Sequence, residues 1–283
     1  AIGPEASSTI APATMAASPV SATGTAPAQL IWSLDRSDGL FDRPGALALD
    51  PDGRLWVFDS TGRIVILDSN GTLVESWGTL GSGEGEFNFV ASNGDVFGGA
   101  VFADNGDFYI LDNGNFRVLK FDRDRTLLVE WGSYGRADGQ FNAPIAMGMA
   151  ANGNILVSDS AQARIQEFTP DGAFVTSWPI LAGAGGFVVG PNGNVFEARI
   201  CEVIEWSAPD TMVRPLTIYA AAACDWVGGM TFDQNGHLFA SVASAPYDPV
   251  QAGIAVLDDG GTIVAKWNPR SVAGDVGTDR YDG

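Results

Sequence analysis

Residues Ala100–Trp131 read AVFADNGDFYILDNGNFRVLKFDRDRTLLVEW. The short apolar run Ala100-Val101-Phe102 is followed by Asn105-Gly106 and then by Phe108-Tyr109-Ile110-Leu111. Asn-Gly between apolar runs is a strong hairpin signal. A second hairpin follows at once, with Phe116–Phe121 turning near Asp124 into Thr126–Trp131. The stretch predicts four antiparallel strands in succession.

The same unit recurs along the chain. Its first turn is found at Asp52-Gly53, Asn105-Gly106, Asn152-Gly153, Asn192-Gly193 and Asn235-Gly236, with glycines 53, 47, 40 and 43 residues apart. Its second hairpin recurs as Arg63–Leu67 into Thr72–Trp77, Arg164–Phe168 into Ala173–Trp178, Val203–Trp206 into Met212–Thr217, and Ile254–Leu257 into Thr262–Trp267. A four-stranded unit repeating every 40 to 50 residues or so is the signature of a propeller blade. The sequence therefore predicts an all-β propeller with five full repeats between Gly45 and Trp267. Small residues in the first strand suit the crowded centre, and Pro215 in a fourth strand suits an outer edge.

The runs Phe108–Phe121 (FYILDNGNFRVLKF) and Ile155–Phe168 (ILVSDSAQARIQEF) resemble NHL repeats, as do the linkers WGTLGSGEGEF (Trp77–Phe87) and WGSYGRADGQFNAP (Trp131–Pro144). The resemblance spans Leu30 to Trp267, is good in units two and three, and fades in units four and five. It implies a β-propeller that serves most often as a binding surface. Some relatives are histidine- and metal-dependent lyases or lactonases.

Three segments follow: an Ala/Ser/Thr/Pro-rich arm over 1–29, the propeller over 30–267 and a tail over 268–283. The arm has 21 of 29 residues drawn from those four types and one charge, Glu5. It lacks the basic and apolar regions of a signal peptide. A chain opening on Ala1 reads as a processed protein. Leu30–Leu34, with Trp32, matches a fourth strand that has no complete blade of its own, so the ring is either five-bladed or an incomplete six-bladed one.

Composition removes several functions. There are 34 acidic and 15 basic residues, a net charge of −19, which repels nucleic acid. No apolar run is long enough for a membrane-spanning helix. A single histidine, His237, removes multi-histidine zinc sites, so no transition metal and no cofactor are expected. No nucleophile elbow, phosphate loop or zinc-protease motif occurs.

Asp59, Asp112 and Asp159 end second strands, and Arg63, Arg117 and Arg164 begin the third strands that follow. These are expected to be repeated ion pairs within blades, and the neighbouring arginines weigh against a calcium ring. Asp50-Pro-Asp52-Gly, Asp122-Arg-Asp124 and Asp258-Asp259-Gly read as hairpin turns. Cys201 falls in a second-to-third-strand loop and Cys224 in the connection into unit five, which lie on one face of the ring; a disulfide is expected. That fits an oxidising, extracellular location.

Two functional readings follow. The first is a secreted structural or interaction propeller that assembles with copies of itself into an oligomer or filament. Its arm would supply contacts at Ile2, Ile10, Met15 and Val20, beside Trp32, since an unpaired sheet edge is a template for addition. The alternative is a secreted metal-dependent lactonase- or lyase-like propeller. No small-molecule ligand is identifiable from the sequence.

Overall fold

The computed structural model describes residues 39–180, 186–199, 202–207, 211–217, 226–243 and 253–267. The arm with its anchors Ile2, Ile10, Met15 and Val20, the orphan strand with Trp32, the tail, Cys201 and Cys224 lie outside the described residues, and so does the expected disulfide.

Five four-stranded antiparallel sheets follow one another along the chain. Blade 1 holds β1 (Pro44–Leu49), β2 (Leu55–Asp59), β3 (Ile64–Leu67) and β4 (Leu73–Trp77). Two short linker strands, β5 (Thr79–Leu80) and β6 (Glu86–Phe87), pair in parallel. Blade 2 holds β7 (Ala100–Phe102), β8 (Phe108–Asp112), β9 (Arg117–Phe121) and β10 (Leu127–Trp131). Blade 3 is β11 (Pro144–Met149), β12 (Ile155–Asp159), β13 (Arg164–Phe168) and β14 (Phe174–Pro179). Blade 4 is β15 (Phe187–Val189), β16 (Val195–Ala198), β17 (Glu202–Ser207) and β18 (Thr211–Thr217). Blade 5 is β19 (Trp226–Phe232), β20 (Leu238–Ala243), β21 (Gly253–Leu257) and β22 (Ile263–Trp267). Helix is confined to two single 3-10 turns, Asn113–Asn115 and Ser160–Gln162, among the described residues. This is the β-propeller expected, and Pro215 lies in an outermost strand, opposite Ile204.

The hairpins are longer than a two-residue turn. In each first-to-second and third-to-fourth strand turn within the described residues, the first residue's N–H donates to the carbonyl four residues on, and the fourth residue's N–H donates back to the first carbonyl, as at Asp50–Arg54, Ala103–Asp107 and Ala150–Asn154. The fourth residue is left-handed, with φ of 77° at Gly53, 92° at Gly106 and 83° at Gly153. This is a β-turn followed by a left-handed bulge residue, which favours glycine. Arg125 takes that place in blade 2 at φ 66°. Its guanidinium forms a bidentate pair with Glu75 and lies 4.9 Å from the Trp77 ring centre. A contact between blades thus holds an unfavourable backbone in place.

Blades pack face to face, so the middle strands β2, β3, β8, β9 and β12 are buried throughout or nearly so. Between blades 1 and 2, Trp56, Phe58, Ile64 and Ile66 meet Phe108, Ile110, Leu119 and Phe121. Phe87 and Phe89 from the linker complete this core. Phe141 fills the equivalent place between blades 2 and 3. The inner strands β1, β7, β11, β15 and β19 contact one another in that order.

Two features depart from the sequence reading. An extra hairpin over 89–97, turning at Asn93-Gly94, accounts for the long first spacing of 53 residues. The inner strand of blade 1 is the other: Leu47 and Leu49 in β1 are 65% and 67% exposed, although Val57, Val65 and Leu67 on the same face are buried. Their register equivalents in β11, Met147 and Met149, are partly covered by packing on blade 2.

Two glycines separate backbone strain from packing. Gly153 (φ +83°) has open space where a Cβ would stand, whereas a Cβ on Gly172 (φ +82°) would lie 2.7 Å from the Trp131 ring. Gly153→Ala is expected to cost about 1–2 kcal/mol from the left-handed backbone alone. Gly172→Ala should cost about 1–3 kcal/mol more through overpacking. Urea unfolding of the full chain measures both, and equal losses would contradict the assignment.

Candidate functional site

The blade ends differ. One face of the propeller carries the tight hairpin turns; the other carries the loops between second and third strands together with the linkers between blades. The predicted Asp/Arg residues all lie on this second, loop face.

Asp59, Asp112 and Asp159 are each fully buried. Each accepts backbone N–H groups from the end of the incoming linker. Asp59 Oδ2 takes those of Asp42 and Arg43 at 2.7 and 3.2 Å. Asp112 Oδ1 takes that of Asn88 at 2.7 Å. Asp159 takes those of Asn142 and Ala143 at 3.1 and 2.9 Å. The arginines grip the same linkers by their carbonyls. Arg117 donates to Ser82 O and Glu86 O, and Arg164 to Ala137 O and Gln140 O. Arg63 donates to Leu40 O.

The ion pairs themselves are graded. Arg117 Nε lies 2.7 Å from Asp112 Oδ2, whereas Arg164 Nε lies 4.0 Å from Asp159 Oδ2. The expected Asp59–Arg63 pair is corrected to a bridged one. Arg63 Nε donates to Thr61 Oγ1, and that hydroxyl donates to Asp59 Oδ1. The spacing explains this. The step from Asp59 to Arg63 is four positions, against five in blades 2 and 3, where a 3-10 turn intervenes. Burial raises the Asp112 carboxyl above its ordinary range despite hydrogen bonds from Asn115, Asn88 and Arg117. Burial also pushes Asp59 upward, but the hydroxyl and N–H of Thr61 and the N–H of Asp42 outweigh it and leave the carboxyl lowered.

Blade 4 inverts the pattern. In register, Arg199 follows Ala198 where Asp159 follows Ser158, and its guanidinium meets buried Glu197 at 3.0 Å. Glu205 accepts from Asn192, Asn194 and Arg214. Burial pushes Glu205 upward, and these bonds bring it below the usual range. Glu167 binds Asn152 and Asn154 in the same way in blade 3. The recurring Asn-Gly-Asn beside a third-strand Glu is a signal the sequence reading passed over.

Two clefts stand out. On the turn face, a cleft of about 810 Å³ between blades 1 and 2 holds Trp56, Phe102 and Phe108 among Arg54, Arg123 and Arg125 and several carboxylates. On the loop face, a cleft of about 580 Å³ lies between the extra hairpin and blades 2 and 3. Its lining includes Asn88, Asn93, Asn113, Asn142, Ser92 and Ser160, with Phe97 and Phe116, and carries no charged side chain. His237 lies on the turn face, Nδ1 2.9 Å from Asp233 Oδ2. That hydrogen bond is the main reason the Asp233 carboxyl falls to about 2. Among the described residues, no group of three or more His, Cys, Asp or Glu could hold a metal ion, and no helix is long and apolar enough to cross a membrane.

No protein-family model matches the chain, that of the NHL repeat included, and no curated protein matches. Solved structures do. A protein of unknown function from Bacteroides caccae is 14% identical over 82% of this chain and 83% of its own, with a TM-score of 0.58. Virginiamycin B lyase from Staphylococcus aureus is 13% identical over 80% of this chain and 69% of its own, at 0.55. A streptogramin B lyase is 16% identical over 80% and 68%, also at 0.55. At these identities the likeness establishes the β-propeller fold.

The graded pairs predict graded costs. Arg117→Ala is expected to destabilise by about 3–5 kcal/mol, because it strands a buried carboxylate. Arg63→Ala should cost about 1 kcal/mol, the net value of a hydrogen bond. Without its arginine, Asp112 keeps a folded pKa above its unfolded value. The Arg117→Ala deficit should therefore be smallest in acid and grow as pH rises through that raised pKa. Urea unfolding at several pH values checks both the order and the sign.

Proposed function

We propose that the protein is an interaction propeller that associates with copies of itself, and that blade 1 supplies the contact. The observation that carries this reading is the exposure of Leu47 and Leu49, on a face that the other blades turn toward a neighbour. Blade 5 offers the complementary flank, where Thr231 and Ser241 are exposed and Ile254 is 38% exposed. Docking blade 5 of one copy against the inner strand of blade 1 in the next would cover Leu47 and Leu49, beside Val57, Val65 and Leu67, which are already covered within the chain. Such a head-to-tail contact gives a ring or an open filament. The arm over 1–29 acts as a second tie, with Ile2, Ile10, Met15 and Val20 as its anchors. The reading places the protein outside the cell, in keeping with the composition of that arm and the two cysteines.

A lyase-like enzyme is the second reading, favoured by the likeness to streptogramin B lyases. One of those structures is a catalytically inactive histidine-to-alanine variant of the Staphylococcus aureus enzyme with quinupristin. In this chain the sole histidine is held by Asp233 in a hairpin turn, on the face opposite the uncharged cleft. That placement weighs toward binding.

Light scattering of the full chain over a wide concentration range tests self-association. The expected mass is a multiple of 29.6 kDa, falling to a single chain in the Leu47→Asp/Leu49→Asp variant. Both sites are exposed, so the variant should still fold as a single chain, with the circular dichroism of an all-β protein. A single-chain mass for the unaltered protein at every concentration would overturn the reading. Deleting residues 1–29 tells the arm's contribution from that of the flank.

A further inference from the structure

Asn113 lines the loop-face cleft, and beneath its surface lies a carboxamide oxygen with nothing to accept. Asn113 is 3% exposed, and its Oδ1 has no hydrogen-bond partner. Leaving a buried carbonyl oxygen unpaired is costly, and native interiors rarely tolerate it. The backbone holds this residue firmly. Asn113 opens a 3-10 turn and accepts from Phe116 N–H, and the adjacent Gly114 N–H donates to Asn88 O at 2.8 Å. A Cβ on Gly114 would stand 2.6 Å from the Asn88 carboxamide and 2.7 Å from Val90 O. Only glycine lets the Asn88 carboxamide and the Val90 carbonyl lie this close to the turn.

The surroundings set the chemistry of what would pair with it. The lining combines carboxamides and hydroxyls with aromatic surface, and no charge. Asn88 is fixed, its Oδ1 accepting Val90 N–H at 3.1 Å. Phe116 is held in the left-handed region at φ 58°, unusual for a bulky residue, and its ring meets Tyr134 edge-on at 5.0 Å. The volume of about 580 Å³ falls within the ordinary range for small-molecule pockets.

We propose that this cleft binds a neutral, hydroxyl-rich ligand, a short saccharide, its hydroxyls pairing with the carboxamides and hydroxyls of the lining, that of Asn113 among them. Hydroxyls both donate and accept, which matches carboxamides. The apolar C–H face of a sugar ring suits Phe97 and Phe116. An ionic ligand would find no counter-charge here. The inference does not depend on self-association, because the cleft lies on the loop face and not on the blade flanks.

Calorimetry and saturation-transfer NMR on the full chain test it, with cellobiose, maltose and diacetylchitobiose as probes. A digalacturonate and a neutral tripeptide amide serve as contrasts. At least one neutral disaccharide should bind, and Asn113→Leu should weaken it about tenfold or more. Asn113→Leu removes the orphan acceptor at similar size, so its melting temperature should hold or rise. Phe97→Ala, outside the buried turn, should weaken binding independently. Three results would overturn the proposal: no binding of any neutral disaccharide to millimolar concentration, binding undiminished in Asn113→Leu, or preference for the peptide or the acid.

Discussion

The structure depends on a buried carboxylate that closes the end of a blade. Blades share no strands, so each is tied to the next by a linker and by face-to-face packing. Backbone N–H groups turning into a new blade need acceptors, since leaving them buried and unpaired is costly. Asp59, Asp112 and Asp159 supply those acceptors from the blade being entered. Their arginines then take up the linker's carbonyls as well as balancing charge. The pair is therefore less a bond within one blade than a two-handed grip on the chain arriving from the previous one. That is why its Asp–Arg distance can vary from 2.7 to 4.0 Å, or pass through Thr61, while the linker contacts persist.

The linkers are shaped to be gripped. Gly78 and Gly132, at φ 89° and 102°, sit where a Cβ would stand 2.7 and 2.6 Å from the rings of Phe87 and Phe141. Those phenylalanines are fully buried and fill the wedge between blades. Glu86 and Gln140 fold back to accept linker N–H groups. Aromatic burial, left-handed glycines and the polar grip thus act on the same short segment.

Much of this was legible. Turn-strand repeats fixed the number and order of strands, because an apolar run bounded by Asn-Gly permits few alternatives over so short a distance. The Asp and Arg positions stood out because they recur with nearly constant spacing. What escaped was anything carried by a single unit or assembled across units. Asn93-Gly94 has the same signal as a blade turn, yet it turns only the extra hairpin over 89–97. In blade 4 Arg199 stands at the aspartate's register position and pairs with Glu197 two residues before it, which hides the pairing from any search for Asp followed four or five positions later by Arg. The cleft draws Asn88, Asn113 and Asn142 from three separate loops. Each is ordinary loop composition by itself; only the fold makes them neighbours.

Charge gives that cleft its selectivity. The chain carries a net −19, so the field around it repels anions as they approach. A cation is drawn in by the same field, but it meets carboxamides, hydroxyls and aromatic rings with no carboxylate to replace its lost hydration. Only a neutral ligand avoids both penalties. Its binding would rest on hydrogen bonds and apolar contact, terms that salt screens weakly, whereas contacts among the exposed Asp and Arg residues of the turn face weaken with ionic strength. Two faces of one small propeller are thereby set for different company: a charged turn face whose interactions follow the medium, and an uncharged pocket on the loop face whose interactions do not.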